Sequence, residues 1–393
     1  MGDAKSYDAI VVGAGFAGAV VARELAERGG KKVLVVEKRP HVGGNAYDCL
    51  DDAGVLIHLY GPHIYHTNDE RVHAYLSRFT EWRDYEHEVL ANVYGTYMPV
   101  PFNKNSMEIA FGSEEAARLT AKLIETFGDE RKVTINELRS LDDPDLAKVA
   151  DYIYANVFLY YTQKQWGLTP EEVDPSVTAR VPVFLSRDNR YFQDAHQGMP
   201  LHGYTPLFES MLDYEGIEVR CGVDAREMLE FLWEGDRVTG VLVDGEAFDG
   251  LVVYTGALDE LFDLRFGRLP YRTLDLVFET LPQDSFQPRG TINYTTTEDF
   301  TRITEYKYLT GQELPGVTTI MKEYSKAYTG EEGQTPYYVI VSEEAQAAYR
   351  AYADLVADFG QFHVLGRLAE YRYYNMDAIC ARALELADEL LGA

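Results

Sequence analysis

Three groups of residues have types and spacings that could do chemistry. The first is a glycine turn, Gly13-Ala14-Gly15-Phe16-Ala17-Gly18, preceded by an apolar run over 9–12 and followed by a helical stretch to Arg28. A second apolar run over 33–36 ends on Glu37. This is G-x-G-x-x-G between a strand and a helix, with an acid about twenty residues on. Gly13 allows the tight turn, Gly15 lets backbone approach a pyrophosphate, and Gly18 lets helix and strand pack closely. The N–H groups at the helix start face the phosphates. Glu37 would accept hydrogen bonds from a ribose diol and repel a 2′-phosphate, which argues against NADP despite Lys38 and Arg39. A second glycine pair, Gly43-Gly44, leads into Asn45 and brings the chain past the cofactor again. That pattern is read as FAD. Phe16, Lys38, Gly44 and Asn45 join the cofactor-facing set.

The second group is histidine-rich: His58, His63 and His66 alternate with Tyr60 and Tyr65 around Gly61-Pro62. No cysteine or paired carboxylate accompanies them, so a metal is not expected. His63 is placed beside a flavin ring. The third group combines cations and aromatics. Arg180 lies in a proline-punctuated stretch over 173–189, where a lid is expected. Its planar fork could clamp a phosphate, or it could be a solvated surface arginine. The aromatic cluster from Phe158 to Trp166 reads first as a helix end plugged into the core, and second as a stacking wall for a flat ring such as uracil.

These residues need elements to position them. The 393-residue chain can hold two or three domains, and 46% hydrophobic content makes it globular. A net charge of −28 argues against nucleic acid or an anionic membrane surface as partner. Three cysteines, Cys49, Cys221 and Cys380, are too few and scattered for a disulfide framework. No signal peptide is seen before the first strand and no apolar run approaches membrane-span length, so a cytoplasmic protein without membrane insertion is expected.

The predicted class is α/β: a Rossmann-like FAD-binding domain with an inserted helical bundle and an antiparallel β-sheet domain. The FAD-binding part is assigned to 1–80, 195–260 and 336–393. The helical part takes 103–190, with a mobile substrate loop at about 173–187. The sheet takes 81–102 and 261–335. Within this frame, 89–101 reads as a hairpin with Gly95-Thr96 in its turn. Ser113 is expected to cap a helix ending before Gly128. Thr134 and Glu137 have capping-box spacing, as do Thr169 and Glu172, and Asp143-Pro144 starts a further helix. In that helix Leu146, Val149, Ile153 and Val157 share one face. A loop is expected from Tyr191 up to a helix over 206–212. The 302–307 segment reads as strand. Asn375 can cap the last helix, after a strand that ends on Gly366-Arg367. That helix start suits the electron-rich edge of a flavin or its ribityl chain, or is an ordinary capped C-terminal helix.

Taken together, the motifs GAGFAGAVVA, EKRPHVGGNAYD, YGPHIYHT, YTQKQWG, Arg180-Val181-Pro182, DNRYFQDAHQGMPLHGYT, VVYTGALDELF, TRITEYK, TPYY and GRLAEYRYYNMD resemble the bacterial UDP-galactopyranose mutase family. They run in order from first strand to last helix. The resemblance implies an isomerase that interconverts UDP-galactopyranose and UDP-galactofuranose with no net redox change. In that family reduced FAD acts through N5 as the nucleophile on the sugar anomeric carbon. UDP leaves, and the ring contracts through a sugar–flavin iminium.

The resemblance assigns Arg180 to the loop arginine that closes over the UDP diphosphate, and Arg302 to a second arginine on it. Tyr161, Tyr191, Tyr338 and Tyr373 resemble the tyrosines that bind the diphosphate. Trp166 and Thr162 fall in the segment holding uridine and sugar, with Phe158 for uracil stacking. Arg367, Tyr373, Asn375 and Met376 fall near the flavin, and His63 beside its ring. Several family members carry Asp where this chain has Asn375, which makes the same hydrogen bonds without charge. A homodimer and a role in supplying galactofuranose for cell-wall polysaccharide are also implied. The competing reading is a redox flavoenzyme of the amine oxidase or desaturase type, which shares the N-terminal unit but has no use for a diphosphate clamp. A third is a protein that binds flavin or sugar nucleotide without catalysis.

Overall fold

The computed structural model describes residues 6–169 and 182–392. Its cofactor half is a five-stranded sheet in the order Ile217–Cys221, Val33–Glu37, Ala9–Val12, Leu251–Tyr254, Phe362–Val364. Every neighbouring pair is parallel. A parallel sheet must be covered on both faces, and Val33–Glu37 is buried at all five positions. One face carries the helices Phe16–Glu27, Tyr204–Leu212 and Met376–Leu391, which share a core containing Val20, Leu25, Phe208 and Leu384. The other carries Glu343–Val356 and a small antiparallel sheet, joined through Tyr352, Leu355 and Val241. Strand order reverses beside Ala9–Val12, so the crevice at its carboxyl end is where a nucleotide fits this fold.

The second large sheet has seven strands: Tyr338–Val339, Tyr271–Leu281, Thr318–Ala327, Arg302–Glu305, Thr291–Tyr294, Val89–Val93, Thr96–Val100. All pairs are antiparallel but one, Thr291–Tyr294 against Val89–Val93. The hairpin turn is Tyr94-Gly95, one residue earlier than expected. Both have positive φ, 48° and 89°, as a tight two-residue hairpin requires. Two pairings cross the boundaries assigned from sequence. Tyr338–Val339 joins this sheet rather than the cofactor half, and Trp82–Asp84 pairs instead with His196–Pro200. That last strand was expected to be loop. It forms because it lies between Tyr65–Thr67 and Trp82–Asp84, and Gly198 lets the Arg83 carbonyl approach to where a Cβ would be 2.8 Å away. Tyr306 and Lys307, read as strand, begin a short helix, Tyr306–Thr310.

The helical part has its own core, including Leu119, Leu123, Leu138, Leu146 and Val149. The Thr134–Glu137 capping box forms, and Asp143 caps Pro144–Ile153. Ser113 is not a cap: Gly112 holds that position and Ser113 is the first helical residue. The 169–172 capping box falls partly outside the described residues. After Ile153 the helix widens into a π turn, Tyr154–Phe158, before Leu159–Trp166. A π turn changes the helical phase without ending the helix and is frequent at functional sites. Here it leaves Val157 and Phe158 buried above the next helix.

Candidate active site

At the switch point the glycine turn forms as its spacing requires. Gly13 has φ +107°, and a Cβ there would lie 2.0 Å from Thr255 Oγ1, which donates to the Val12 carbonyl at 2.7 Å. A Cβ at Gly18 would lie 1.8 Å from the Gly13 carbonyl oxygen. Gly15 precedes the Phe16–Glu27 helix, and no side chain caps that helix start. Its first N–H groups are therefore available to an anion. Gly15 faces Gly44, whose Cβ would come within 2.9 Å of the Gly15 Cα. Glu37 is buried, and its carboxylate accepts the Ala14 N–H at 2.8 Å and the Arg39 N–H at 2.9 Å. The second strand's acid is thus tied to the glycine turn itself.

These residues line a cavity of 1330 Å³. It exceeds the roughly 300–1,000 Å³ of ordinary small-molecule sites, as an extended dinucleotide requires. Gly13, Gly15, Phe16, Glu37, Lys38, Gly44, Asn45, His63, Arg367, Asn375 and Met376 all line it. Gly18 lies behind the turn. Tyr373 lines the neighbouring pocket, with the Arg367 guanidinium 4.7 Å from its ring. Asn375 stands at the N-cap position of the last helix but makes no capping hydrogen bond with its side chain. It lines the cavity without capping the helix, a departure from the expected cap. The His63 ring is held through Nδ1, 2.9 Å from the Gly61 carbonyl, so that nitrogen donates and Nε2 is left an acceptor. Burial pushes its pKa down to about 3, so the ring is neutral. His66 pairs instead with Asp194 at 3.2 Å, and among the described residues no cluster of metal-ligating side chains forms.

Beside this cavity is a pocket of 160 Å³. Phe158, Tyr161, Thr162, Trp166, Tyr191, Arg302, Tyr338 and Tyr373 line it, gathered from five separate segments. Arg180 lies outside the described residues. Arg302 Nε is 3.2 Å from Glu323 Oε1, without the geometry of a hydrogen bond. The Glu323 side chain is 2% exposed and that of Arg302 23%, so the carboxylate is sealed while the guanidinium reaches the pocket. Burial works to lower the Arg302 pKa, but Glu323 and the phenols of Tyr161, Tyr338 and Tyr191 outweigh it and hold the cation charged. Burial lifts the Tyr161 phenol to about 12, so it remains a hydroxyl donor at neutral pH. The arrangement is a fixed cation ringed by donor hydroxyls, which suits a diphosphate.

Arg367 joins the two cavities. It donates to the carbonyls of Tyr337 at 3.0 Å and Tyr374 at 2.6 Å, and its guanidinium lies over the rings of Tyr373 and Tyr338. Tyr338 and Tyr373 stack with ring centres 6.5 Å apart, and Trp166 is 5.9 Å from Tyr338. Several pocket residues escaped the sequence reading: Gln165, Asn293, Thr295 and the Arg302 partner, Glu323. Gln165 had a signal, since it falls four residues after Tyr161 on the same helix face. Asn293 is set by register, opposite Arg302 in the sheet. Nothing local marks it.

The model of the UDP-galactopyranose mutase family matches residues 156–373, the part that carries this pocket. A model described as an NAD(P)-binding Rossmann-like domain matches 11–79. The "Probable UDP-galactopyranose mutase" of Klebsiella pneumoniae is 36% identical over 386 residues, 98% of this chain and 94% of the relative. The chain belongs to the UDP-galactopyranose mutase family. Membership at this level extends to a relative with another named substrate: the dTDP-fucopyranose mutase of Escherichia coli is 33% identical, covering 96% of this chain and 97% of its own. Among solved structures, a reduced UDP-galactopyranose mutase superposes with a TM-score of 0.69 at 17% identity, over 98% of this chain and 94% of that one. A putrescine oxidase, at 0.57 and 13%, covering 98% and 99%, shares the fold.

FAD is the cofactor of this mutase-family chain. The facing Gly15 and Gly44 backbones, the uncapped helix start and the size of the cavity fit its pyrophosphate and length.

Proposed function

We propose that the protein interconverts UDP-galactopyranose and UDP-galactofuranose on reduced FAD, as an isomerase with no net redox change. One observation carries this reading. The Arg302 cation and the phenols of Tyr161, Tyr191, Tyr338 and Tyr373 surround a pocket that adjoins the cofactor cavity across Arg367.

Reduced FAD, when bound, supplies a nucleophilic nitrogen at the anomeric carbon of the sugar. The chain's own residues do the rest. Arg302, with Arg180, neutralises the diphosphate as its bond to the sugar breaks. The four tyrosines donate hydroxyls to the phosphate oxygens and hold them in one orientation. Phe158, Thr162 and Trp166 hold uridine and sugar. Neutral His63 presents an acceptor nitrogen to the flavin side, with its orientation set by the Gly61 carbonyl.

The amine oxidase reading fails on charge. An amine substrate is a cation, and the pocket already holds one in Arg302 with no second sealed carboxylate beside it among the described lining residues. A second reading within the same chemistry has specific support: a dTDP-sugar as substrate, given the full-length likeness to the dTDP-fucopyranose enzyme. The proposal also includes a cytoplasmic homodimer that supplies galactofuranose for cell-wall polysaccharide. No helix among the described residues is long and apolar enough to cross a membrane, which is compatible with this.

The test is to incubate the FAD-loaded protein with UDP-galactofuranose and dithionite and to separate the products by chromatography. UDP-galactopyranose is expected. Its absence, with dTDP-fucopyranose converted instead, would shift the reading to the second substrate; conversion of neither would end it.

A further inference from the structure

Lys164 lies on the Leu159–Trp166 helix that carries Tyr161, Thr162, Gln165 and Trp166 to the pocket, yet it does not line the pocket. Its side chain enters the loop between the Thr291–Tyr294 and Arg302–Glu305 strands. There Nζ donates to the carbonyls of Tyr294 at 2.5 Å, Glu298 at 3.0 Å and Phe300 at 3.1 Å, with that of Thr296 at 3.5 Å. An ammonium has three protons and no acceptor, so four converging carbonyls saturate it. The two strands joined by this loop present Asn293 and Arg302 to the pocket. One side chain therefore ties the aromatic wall to the cationic wall.

A second tie holds the same helix end from the sheet. Arg272 donates from Nε to the Gln165 carbonyl at 3.1 Å and from Nη2 to the Lys164 carbonyl at 3.3 Å. Ser325 Oγ donates to the Gln165 carbonyl at 2.6 Å. These satisfy carbonyls that a helix C-terminus leaves open. The two ties differ in how they titrate. A guanidinium stays charged across the accessible range. Burial pushes the Lys164 ammonium down to about 8, against the pull of Glu298 and Asp299. The Tyr294 phenol, at the strand end, is raised by burial to about 12 and stays neutral.

We propose that Lys164 is a positioning residue: its ammonium, held by the carbonyls of the 294–300 loop, fixes the spacing between the aromatic helix and Arg302 and so sets affinity for the UDP moiety. This rests on the reading of the pocket as a nucleotide-diphosphate site. With the charge gone, the neutral amine keeps two N–H groups for four carbonyls and loses the charge that strengthened those bonds, so carbonyls left without a donor turn toward water. The loop then relaxes, and Arg302 no longer meets the diphosphate from a fixed distance. A misplacement of about 1 Å costs on the order of a hundredfold in a preorganised site. The cofactor cavity shares no residue with the lysine's cage and should not respond.

The experiment is calorimetric titration of the FAD-loaded protein with UDP, between about pH 7 and about pH 9, for wild type, Lys164→Met and Glu298→Gln. The expected results are roughly tenfold or greater weakening in Lys164→Met at neutral pH with full FAD content, and a loss of wild-type affinity as pH rises through about 8. Lys164→Met should lack that step. Glu298→Gln, by removing a carboxylate that favours the ammonium, should move it to lower pH. Ionisation of the uracil ring is common to all three proteins and cancels in the comparison. In turnover the Lys164→Met defect should fall on KM more than on kcat. If wild type binds UDP while Lys164→Met matches it within about twofold and shows the same pH profile, the lysine inference is overturned and the mutase reading stands. If wild type does not bind UDP, the UDP-sugar reading falls and this inference with it.

Discussion

The cofactor cavity and the proposed UDP pocket lie side by side but are built on opposite principles. Much of the first is backbone. Gly13, Gly18 and Gly44 matter because each lacks a Cβ at a point of close approach, Gly15 because it leaves open the space in front of the helix start, and three of the four lie within one turn of the chain. The second is made of side chains from seven segments, between Val100 and Tyr373, that meet only when the seven-stranded sheet closes against the aromatic helix. Where a site is built from backbone, it tolerates sequence change except at its glycines. A side-chain site depends on register across long separations, and its residues can fail one at a time without disturbing the cofactor.

The sharpest way to break this contrast is at Arg302. Arg302→Ala should lower turnover by about 10²- to 10³-fold, the usual loss for a preorganised charge partner of the leaving group. FAD absorbance should stay unchanged. It also strands the sealed Glu323, at a stability cost of about 3–5 kcal/mol. Adding Glu323→Gln should recover much of the melting temperature and none of the activity. Recovery of both would mean that Arg302 serves only to neutralise its carboxylate.

The converse test is Gly15→Ala. Its Cβ would meet nothing closer than the Gly44 Cα at 3.5 Å, so the apoprotein should fold with little change in melting temperature. The methyl group should nonetheless weaken FAD by roughly tenfold to a hundredfold, the cost of overpacking a close contact. UDP binding to the apo pocket should be affected far less. Equal loss of both ligands would show that the two sites are not separable.

Histidines allow a comparison of stability between the halves. Burial pushes His58, near the cofactor cavity, and His87, beside Tyr191, each down to about 3. Both folded values lie below the unfolded value near 6.5, so folding is favoured above that pH and weakened as pH falls toward 3. Each should cost about 2 kcal/mol by about pH 5. Thermal melts of wild type against His87→Phe across this range should show a shallower acid slope for the variant. The same slope in both would contradict a neutral buried His87.

The smallest effect concerns caps. Thr134→Ala, which breaks an intact capping box, should cost about 1 kcal/mol in denaturant titration. Ser113→Ala should stay within about 0.5 kcal/mol because Gly112 holds the cap position. Equal losses would mean that Ser113 caps after all.

The same contrast explains what was readable in the sequence. The glycine turn, Glu37 and the parallel unit around them were legible because a missing Cβ and an acid at fixed spacing are local signals. Thr134, Glu137, Asp143 and Pro144 were legible for the same reason. Tyr338 and Tyr373 carry no local mark: one lies on an edge strand and the other in an irregular stretch before the last helix, and only likeness to the family pointed to them. Gln165 could have been reached by helical spacing from Tyr161, although the π turn at Tyr154–Phe158 breaks any count carried over from the helix before it. His196–Pro200 is a strand because its neighbours make it one, against its own composition. Glu323 could not be found without the register that sets it opposite Arg302.

The central claim is that a flavin fold common to oxidases here serves a reaction with no net electron transfer. The direct measurement is the visible spectrum of the enzyme-bound flavin, reduced once with dithionite and kept anaerobic, while UDP-galactofuranose is converted over many turnovers. The account predicts that product accumulates well beyond one equivalent while the spectrum stays that of reduced FAD, and that the oxidised enzyme forms none. Reoxidation of one flavin for each product formed, or equal turnover by oxidised enzyme, would contradict it.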